Sequence, residues 1–138
     1  MTVMVVDDST EMRGLIRDLV APLADEVVEC GDGAECVERF GALRPDWTVM
    51  DVQMPRLDGL SAARVLHERF PGAKVLLVTQ FPNGGLEAAA LKAGAVGCLA
   101  KEDLHRVSEL LCGPAVEGAM PEIPVASPKP SADSLQKN

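Results

Sequence analysis

Short apolar runs alternate along the chain with stretches in which apolar residues recur every three or four positions, and the alternation repeats five times. The runs are TVMVV (Thr2 to Val6), EVVEC (Glu26 to Cys30), DWTVM (Asp46 to Met50), KVLLVT (Lys74 to Thr79) and GCLA (Gly97 to Ala100). Their length and β-branched content mark them as strands, EVVEC being the weakest and KVLLVT the clearest. Met12, Leu15, Ile16, Leu19 and Val20 form one helical stripe after the first run. Asp32, with Glu35 three residues on, caps a second helix carrying Val37 and Phe40. A third helix starts near Asp58 with Leu60, Ala63, Leu66 and Phe70 on one side. A fourth turns Leu86, Ala89, Ala90 and Ala93 inward and stops at Gly94. Leu104, Val107, Leu110 and Leu111 form the last stripe. Strands that are apolar throughout belong in a parallel sheet covered on both faces. Right-handed crossovers then give an open, doubly wound five-stranded α/β domain over residues 1–112. Residues 113–138 hold half of the ten prolines and no periodicity, and read as a Pro-rich, disordered tail or linker.

Composition narrows the function. The formal net charge of −8 makes this segment a poor ligand for nucleic acid or anionic membranes. Cys30, Cys36, Cys98 and Cys112 show neither C-x-x-C nor zinc-ligand spacing, so buried free thiols are expected. No leader is expected, because a strand-like run begins at Thr2, and no apolar run is long enough to span a membrane. A cytoplasmic location with reduced thiols follows. His67 and His105 lie on helices as surface residues, and Trp47 sits at the far end of its strand from any site.

In sheets of this kind, ligands bind at the carboxyl ends of the strands. The first strand ends in Asp7 and Asp8, the third in Asp51, the fourth in Thr79 and the fifth in Lys101. If the first and third strands are neighbours, three carboxylates converge and need compensation. Lys101 supplies one charge, and a hard divalent cation such as Mg²⁺ would supply more. No Gly-rich phosphate loop follows the first strand, and GDG (Gly31 to Gly33) and NGG (Asn83 to Gly85) read as turns. The chemistry this rim suits is phosphoryl transfer onto a carboxylate, with Asp51 as nucleophile. Taken singly, each residue has a plainer reading: Asp8 with Glu11 matches a capping box, and Ser9 can cap alongside it. The shared rim is what favours chemistry.

Four pieces in order carry a family likeness: VVDDS, DVQMPRLDG, VLLVTQ, and AGAVGCLA leading to Lys101, each at a strand end. Over about residues 2 to 112 the chain resembles the receiver domain of bacterial two-component response regulators, in the style of receivers attached to helix-turn-helix output domains. The resemblance implies a flavodoxin-like fold of strand order 2-1-3-4-5, which makes the first and third strands neighbours. It implies Asp51 as phosphoacceptor, Asp8, Asp51 and the Gln53 backbone carbonyl as Mg²⁺ ligands, and Asp7 as organiser of the metal's water shell. Thr79 and Lys101 would hold the phosphoryl group. The expected function is a phosphorylation-controlled switch in a phosphorelay. Its donor would be a histidine kinase or phosphotransfer protein. Its output would be a downstream protein partner or an output domain outside this segment, with homodimerisation through the fourth or fifth helix as an option. Such a module is not an enzyme beyond assisting its own phosphorylation and dephosphorylation.

Three positions depart from the common pattern. Cys98 stands where the family often has an aromatic ring that swings with the threonine, so that half of the switch cannot operate in the usual way. Lys101 precedes Glu102 rather than proline, which leaves the peptide geometry open and offers Glu102-Asp103 as a cap for the last helix. Gln80 follows Thr79, where a longer side chain partly covers the phosphorylation site, and Gln53 and Phe81 are the positions expected to tune dephosphorylation, Phe81 by impeding the attacking water. Two other readings stand beside the switch. A pseudo-receiver would bind partners without phosphate. An Mg²⁺-dependent aspartyl phosphatase would want D-x-D on the first strand, not adjacent Asp7-Asp8.

Overall fold

All five apolar runs are strands in the computed structural model: β1 (Thr2–Val6), β2 (Glu26–Cys30), β3 (Trp47–Asp51), β4 (Val75–Thr79) and β5 (Gly97–Ala100). They alternate with α1 (Thr10–Val20), α2 (Gly33–Leu43), α3 (Gly59–Arg69), α4 (Gly84–Lys92) and α5 (Val107–Cys112). Short 3-10 segments, Ala21–Leu23 and Lys101–Arg106, follow α1 and precede α5. The structure describes residues 1–81 and 83–112; the expected tail at 113–138 lies outside them.

The sheet has the order β2-β1-β3-β4-β5, and every pairing is parallel. It is the flavodoxin-like, doubly wound arrangement expected from the sequence. Side chains alternate across each strand and build two cores. Met4, Val6, Met50 and Leu77 face α2, α3 and α4, where Cys36, Phe40, Leu66 and Ala90 meet them. Val3, Val5, Val49 and Leu76 face α1 and α5, where Ile16, Val20, Val107 and Leu111 close the second layer. Burial on both faces is why β1, β3 and β4 carry no polar residue on their inner stretch except Thr48. β2 lies at the sheet edge with Glu26 exposed, which explains its weak apolar signature.

Four helices begin with a side-chain cap. Ser9, Asp32, Asp58 and Asn83 accept the N–H of Met12, Glu35, Ser61 and Leu86. Such caps satisfy orphan donors and are worth about 1 kcal/mol each. In a βα fold these helix starts lie on the same rim as the strand ends, so their N–H groups and dipoles make that rim hospitable to anions. Ser9 takes the cap of α1, which leaves Asp8 for other work. The NGG turn resolves into a cap at Asn83 with both glycines inside α4. Glu102 and Asp103 do not cap the last helix. The 3-10 segment already starts at Lys101, its N-cap is Ala100 without a side-chain bond, and both acids lie in its first turn. All described peptide bonds, Lys101-Glu102 included, are trans.

Gly59 opens α3 directly against the end of β3. Its N–H donates to the Val52 carbonyl at 2.8 Å. A Cβ there would collide with the Asp51 carbonyl oxygen and lie 2.8 Å from the Val52 Cα. Gly14, inside α1, has nothing within 4 Å of such a Cβ. Gly59→Ala should therefore cost about 1–3 kcal/mol through overpacking, whereas Gly14→Ala should stabilise by about 0.4–1 kcal/mol. Urea unfolding of the two variants beside the wild type checks this contrast, and equal effects would contradict the close approach at Gly59.

Candidate functional site

The topology delivers the expected residues to one place. β1 and β3 are neighbours, with Val6 opposite Met50, so the acids that follow them share the rim. Ligand oxygens of Asp7, Asp8 and Asp51 lie within 4.8 Å of one another. Asp7 is fully buried and Asp51 nearly so, while Asp8 is exposed. Lys101 reaches in from the end of β5. Its Nζ stands 3.5 Å from Asp7 Oδ2 and 3.4 Å from Asp51 Oδ1. Its own side chain is 15% exposed, so these are largely desolvated ion pairs rather than surface ones.

The compensation is incomplete. Asp7 Oδ1 accepts the Ser9 N–H at 2.9 Å, but Asp7 Oδ2 has no hydrogen-bond partner although it is buried. Its approach to Lys101 is an ion pair too long for a good hydrogen bond. Three carboxylates face one ammonium, which leaves a deficit of two positive charges. Burial pushes the Asp51 carboxyl above its ordinary range, and the neighbouring Asp7 charge adds to this. Lys101 and the Gln53 backbone amide oppose the shift. A hard divalent cation fits on three counts: all-oxygen donors, one orphaned buried oxygen, and a matching charge.

Thr79 is buried at the end of β4, beside Ala100 of β5. Its Oγ1 accepts the Phe81 N–H at 3.1 Å, so the hydroxyl proton stays available to a phosphoryl oxygen. Gln53 and Gln80 are exposed, and the Phe81 side chain is 65% exposed on the β4–α4 loop. Cys98 is buried in the core against α4 rather than on the rim. Burial pushes its thiol up to about 11, which disfavours the reactive thiolate. Cys30 and Cys36 behave alike, at about 11 and about 12. His67 and His105 are exposed, as expected.

Two arrangements around the site were not foreseen. Arg13 donates to the Asp7 carbonyl at 2.7 Å. Arg56, in the loop after β3, donates through Nε and Nη2 to Asp32 Oδ2 at 2.9 and 2.6 Å, and so ties the β3–α3 loop to the cap of α2. A signal for Arg13 existed: a long side chain in the second turn of a helix leans back toward the N-terminus, here toward Asp7-Asp8.

The raised Asp51 carboxyl has a testable sign. The folded chain binds this proton more readily than the unfolded chain. The charged group is therefore destabilising above the folded value, and the penalty fades as pH falls toward the ordinary carboxylate range. In the presence of chelator at pH 7, Asp51→Asn should raise the unfolding temperature by about 4 °C, or about 1 kcal/mol. The gain should shrink toward pH 4. A variant less stable than the wild type at pH 7 would contradict the charge deficit.

Comparison with known proteins agrees with this geometry. The family model described as "Response regulator receiver domain" matches residues 3–111. The chain is 32% identical over 116 residues to the chemotaxis protein CheY of Thermotoga maritima, covering 78% of this chain and 97% of that one. It is 34% identical to protein-glutamate methylesterase/protein-glutamine glutaminase 5 of Geobacter metallireducens, over 97% of this chain but 44% of that protein. The chain thus spans less than half the length of that methylesterase. Among solved structures, a LuxR-family two-component response regulator from Aurantimonas sp. superposes with a TM-score of 0.75 at 26% identity, over 81% of this chain and 82% of the other. The response regulator domain of Thermotoga maritima CheB does so with a TM-score of 0.64 at 33% identity, over 72% and 75%. With the fold, the acidic rim and the matched span in agreement, the chain belongs to the response regulator receiver domain family.

Proposed function

We propose that the chain is a phosphoacceptor switch that takes a phosphoryl group on Asp51 with the help of Mg²⁺. The observation that carries this reading is the Lys101 ammonium set between the buried carboxylates of Asp7 and Asp51, with one Asp7 oxygen unpartnered. A purely structural ion pair has no need of a third acid beside it or of an orphaned oxygen. Asp7, Asp8, Asp51 and the Gln53 carbonyl would hold the cation, which supplies charge neutralisation and alignment for the transferring group.

In the reaction, an Asp51 carboxylate oxygen forms a bond to phosphorus while the bond from phosphorus to the donor atom breaks. The donor leaves with that electron pair, and an acyl phosphate remains on Asp51. Lys101 pairs with one phosphoryl oxygen and Thr79 donates its hydroxyl proton to another. Drawing Thr79 toward the phosphate loosens its bond from the Phe81 N–H, which couples the site to the β4–α4 loop. With Cys98 in the core, that loop carries the response without an aromatic partner. Gln53 and Phe81 tune the loss of the phosphoryl group, Phe81 slowing it by impeding the attacking water, and Gln80 partly covers the site.

A histidine kinase or phosphotransfer protein supplies the phosphoryl group, and the altered loop shifts the binding of a protein partner or output domain. Residues 1–112 form the switch unit and 113–138 a linker or tail. Net acidity argues against direct nucleic-acid binding by this segment. No helix among the described residues is long and apolar enough to cross a membrane. The switch is placed in the cytoplasm by the histidine kinase or phosphotransfer donor this reading gives it.

The test is intact-protein mass after incubation with a small acyl phosphate, with and without Mg²⁺. One phosphoryl group should be added only with Mg²⁺, and none in Asp51→Ala. Lys101→Ala and Thr79→Ala should slow the addition, each by up to about 10²-fold. Phe81→Ala should shorten the lifetime of the adduct. Modification that persists without Asp51 would overturn Asp51 as the acceptor, and a chain that binds its partner without ever accepting phosphate would displace this reading in favour of a pseudo-receiver.

A further inference from the structure

We infer that Arg13 is a positioning residue for the acidic site, and that it sets the site's affinity for a divalent cation by fixing the peptide between Asp7 and Asp8. The inference rests on the reading of Asp7, Asp8 and Asp51 as the cation cluster. Arg13 lies in α1, and its guanidinium turns back to the start of the helix. Nη1 donates to the Asp7 carbonyl at 2.7 Å, and Nε donates to Glu29 Oε1 at 3.0 Å. The other Glu29 oxygen accepts from Arg17 Nη1 at 3.0 Å. Glu29 is thus held by two guanidinium groups, and it in turn orients the Arg13 fork.

The Asp7 carbonyl belongs to the peptide that leads into Asp8. The rest of Asp7 is already fastened: its N–H donates to the Cys30 carbonyl at 3.1 Å, and its Oδ1 accepts the Ser9 N–H. Arg13 adds a charged donor on the carbonyl. With it in place, the peptide plane is set, and so is the direction in which the exposed Asp8 carboxylate leaves the backbone. A planar fork that bridges a carboxylate and a carbonyl cannot be matched by an ammonium, so Lys is no substitute.

Electrostatics alone makes the opposite forecast. A guanidinium beside an acidic cluster repels a cation, so its loss should tighten binding. Positioning demands that its loss weaken binding, because groups that orient metal ligands are worth about 10–100-fold in affinity. The sign separates the two roles.

The experiment is Mg²⁺ titration by calorimetry on the full chain, with unfolding temperature in chelator measured alongside. Arg13→Ala should weaken Mg²⁺ binding by about tenfold or more. Arg13→Lys should restore little of it. Arg17→Ala, which loses a Glu29 partner but no contact to Asp7, should stay within about twofold of the wild type. Arg13→Lys and Arg13→Gln serve if the alanine variant does not fold. Unchanged or tighter binding in the Arg13 variants, with the wild type binding normally, overturns the inference. A wild type that takes up no Mg²⁺ overturns the cation-site reading itself, and the inference with it.

Discussion

One ammonium, Lys101, lies between two buried carboxylates, Asp7 and Asp51, and the rest of the structure is arranged around that contact. A lysine between two acids is only half an answer to their charge. With exposed Asp8 beside them, the cluster carries three negative charges against one positive. Burial makes this expensive, as the upward push on the Asp51 carboxyl shows. A protein optimised for stability alone would replace such a group by a neutral one. Its presence supports the proposed site for a charged ligand.

The scaffold tolerates this cost because, Thr48 apart, the buried layer beneath the rim is apolar. Both faces of β1, β3 and β4 are covered, and the two cores are built mainly from Val, Leu, Ile, Met, Ala and Cys, with Phe40 and Phe70 paired at a centroid distance of 4.8 Å. The strand order places β3 between β1 and β4, so an acid at its end has carboxylates on one side and a hydroxyl on the other. Gly59 then lets α3 start in direct contact with the Asp51–Val52 backbone at the end of β3. Capped helix starts add N–H groups to the same rim. Position, charge and access are therefore set by elements that also make the fold.

Much of this was legible in the sequence because strand ends and helix starts carry local signals. Continuous apolar runs specified buried parallel strands, and a polar residue at the end of four of the five runs specified the rim. Asp32 and Asp58 were readable as helix starts from spacing alone. What escaped depended on side-chain reach or on competition between neighbouring structures. The Asp32 half of the expected capping box forms, but Glu35 accepts the N–H of Gly31, one residue earlier than the box requires. Glu102 and Asp103 look like caps, yet the chain coils at Lys101 before either can act, and both acids fall inside the first turn. Arg56 and Asp32 are far apart in sequence and meet only once two loops are folded side by side. No local pattern encodes such a contact.

The measurement that bears most directly on the charge deficit is the unfolding temperature of the wild type and of Asp51→Asn across a Mg²⁺ titration, at fixed ionic strength. A cation that binds the folded site alone stabilises by about 1.4 kcal/mol at ten times its Kd. The wild type should therefore gain several degrees in a saturable manner. The variant, with one ligand neutral, should gain much less at the same concentrations. A wild type indifferent to Mg²⁺, or equal gains in the two proteins, would contradict the claim that these acids are assembled for a divalent cation.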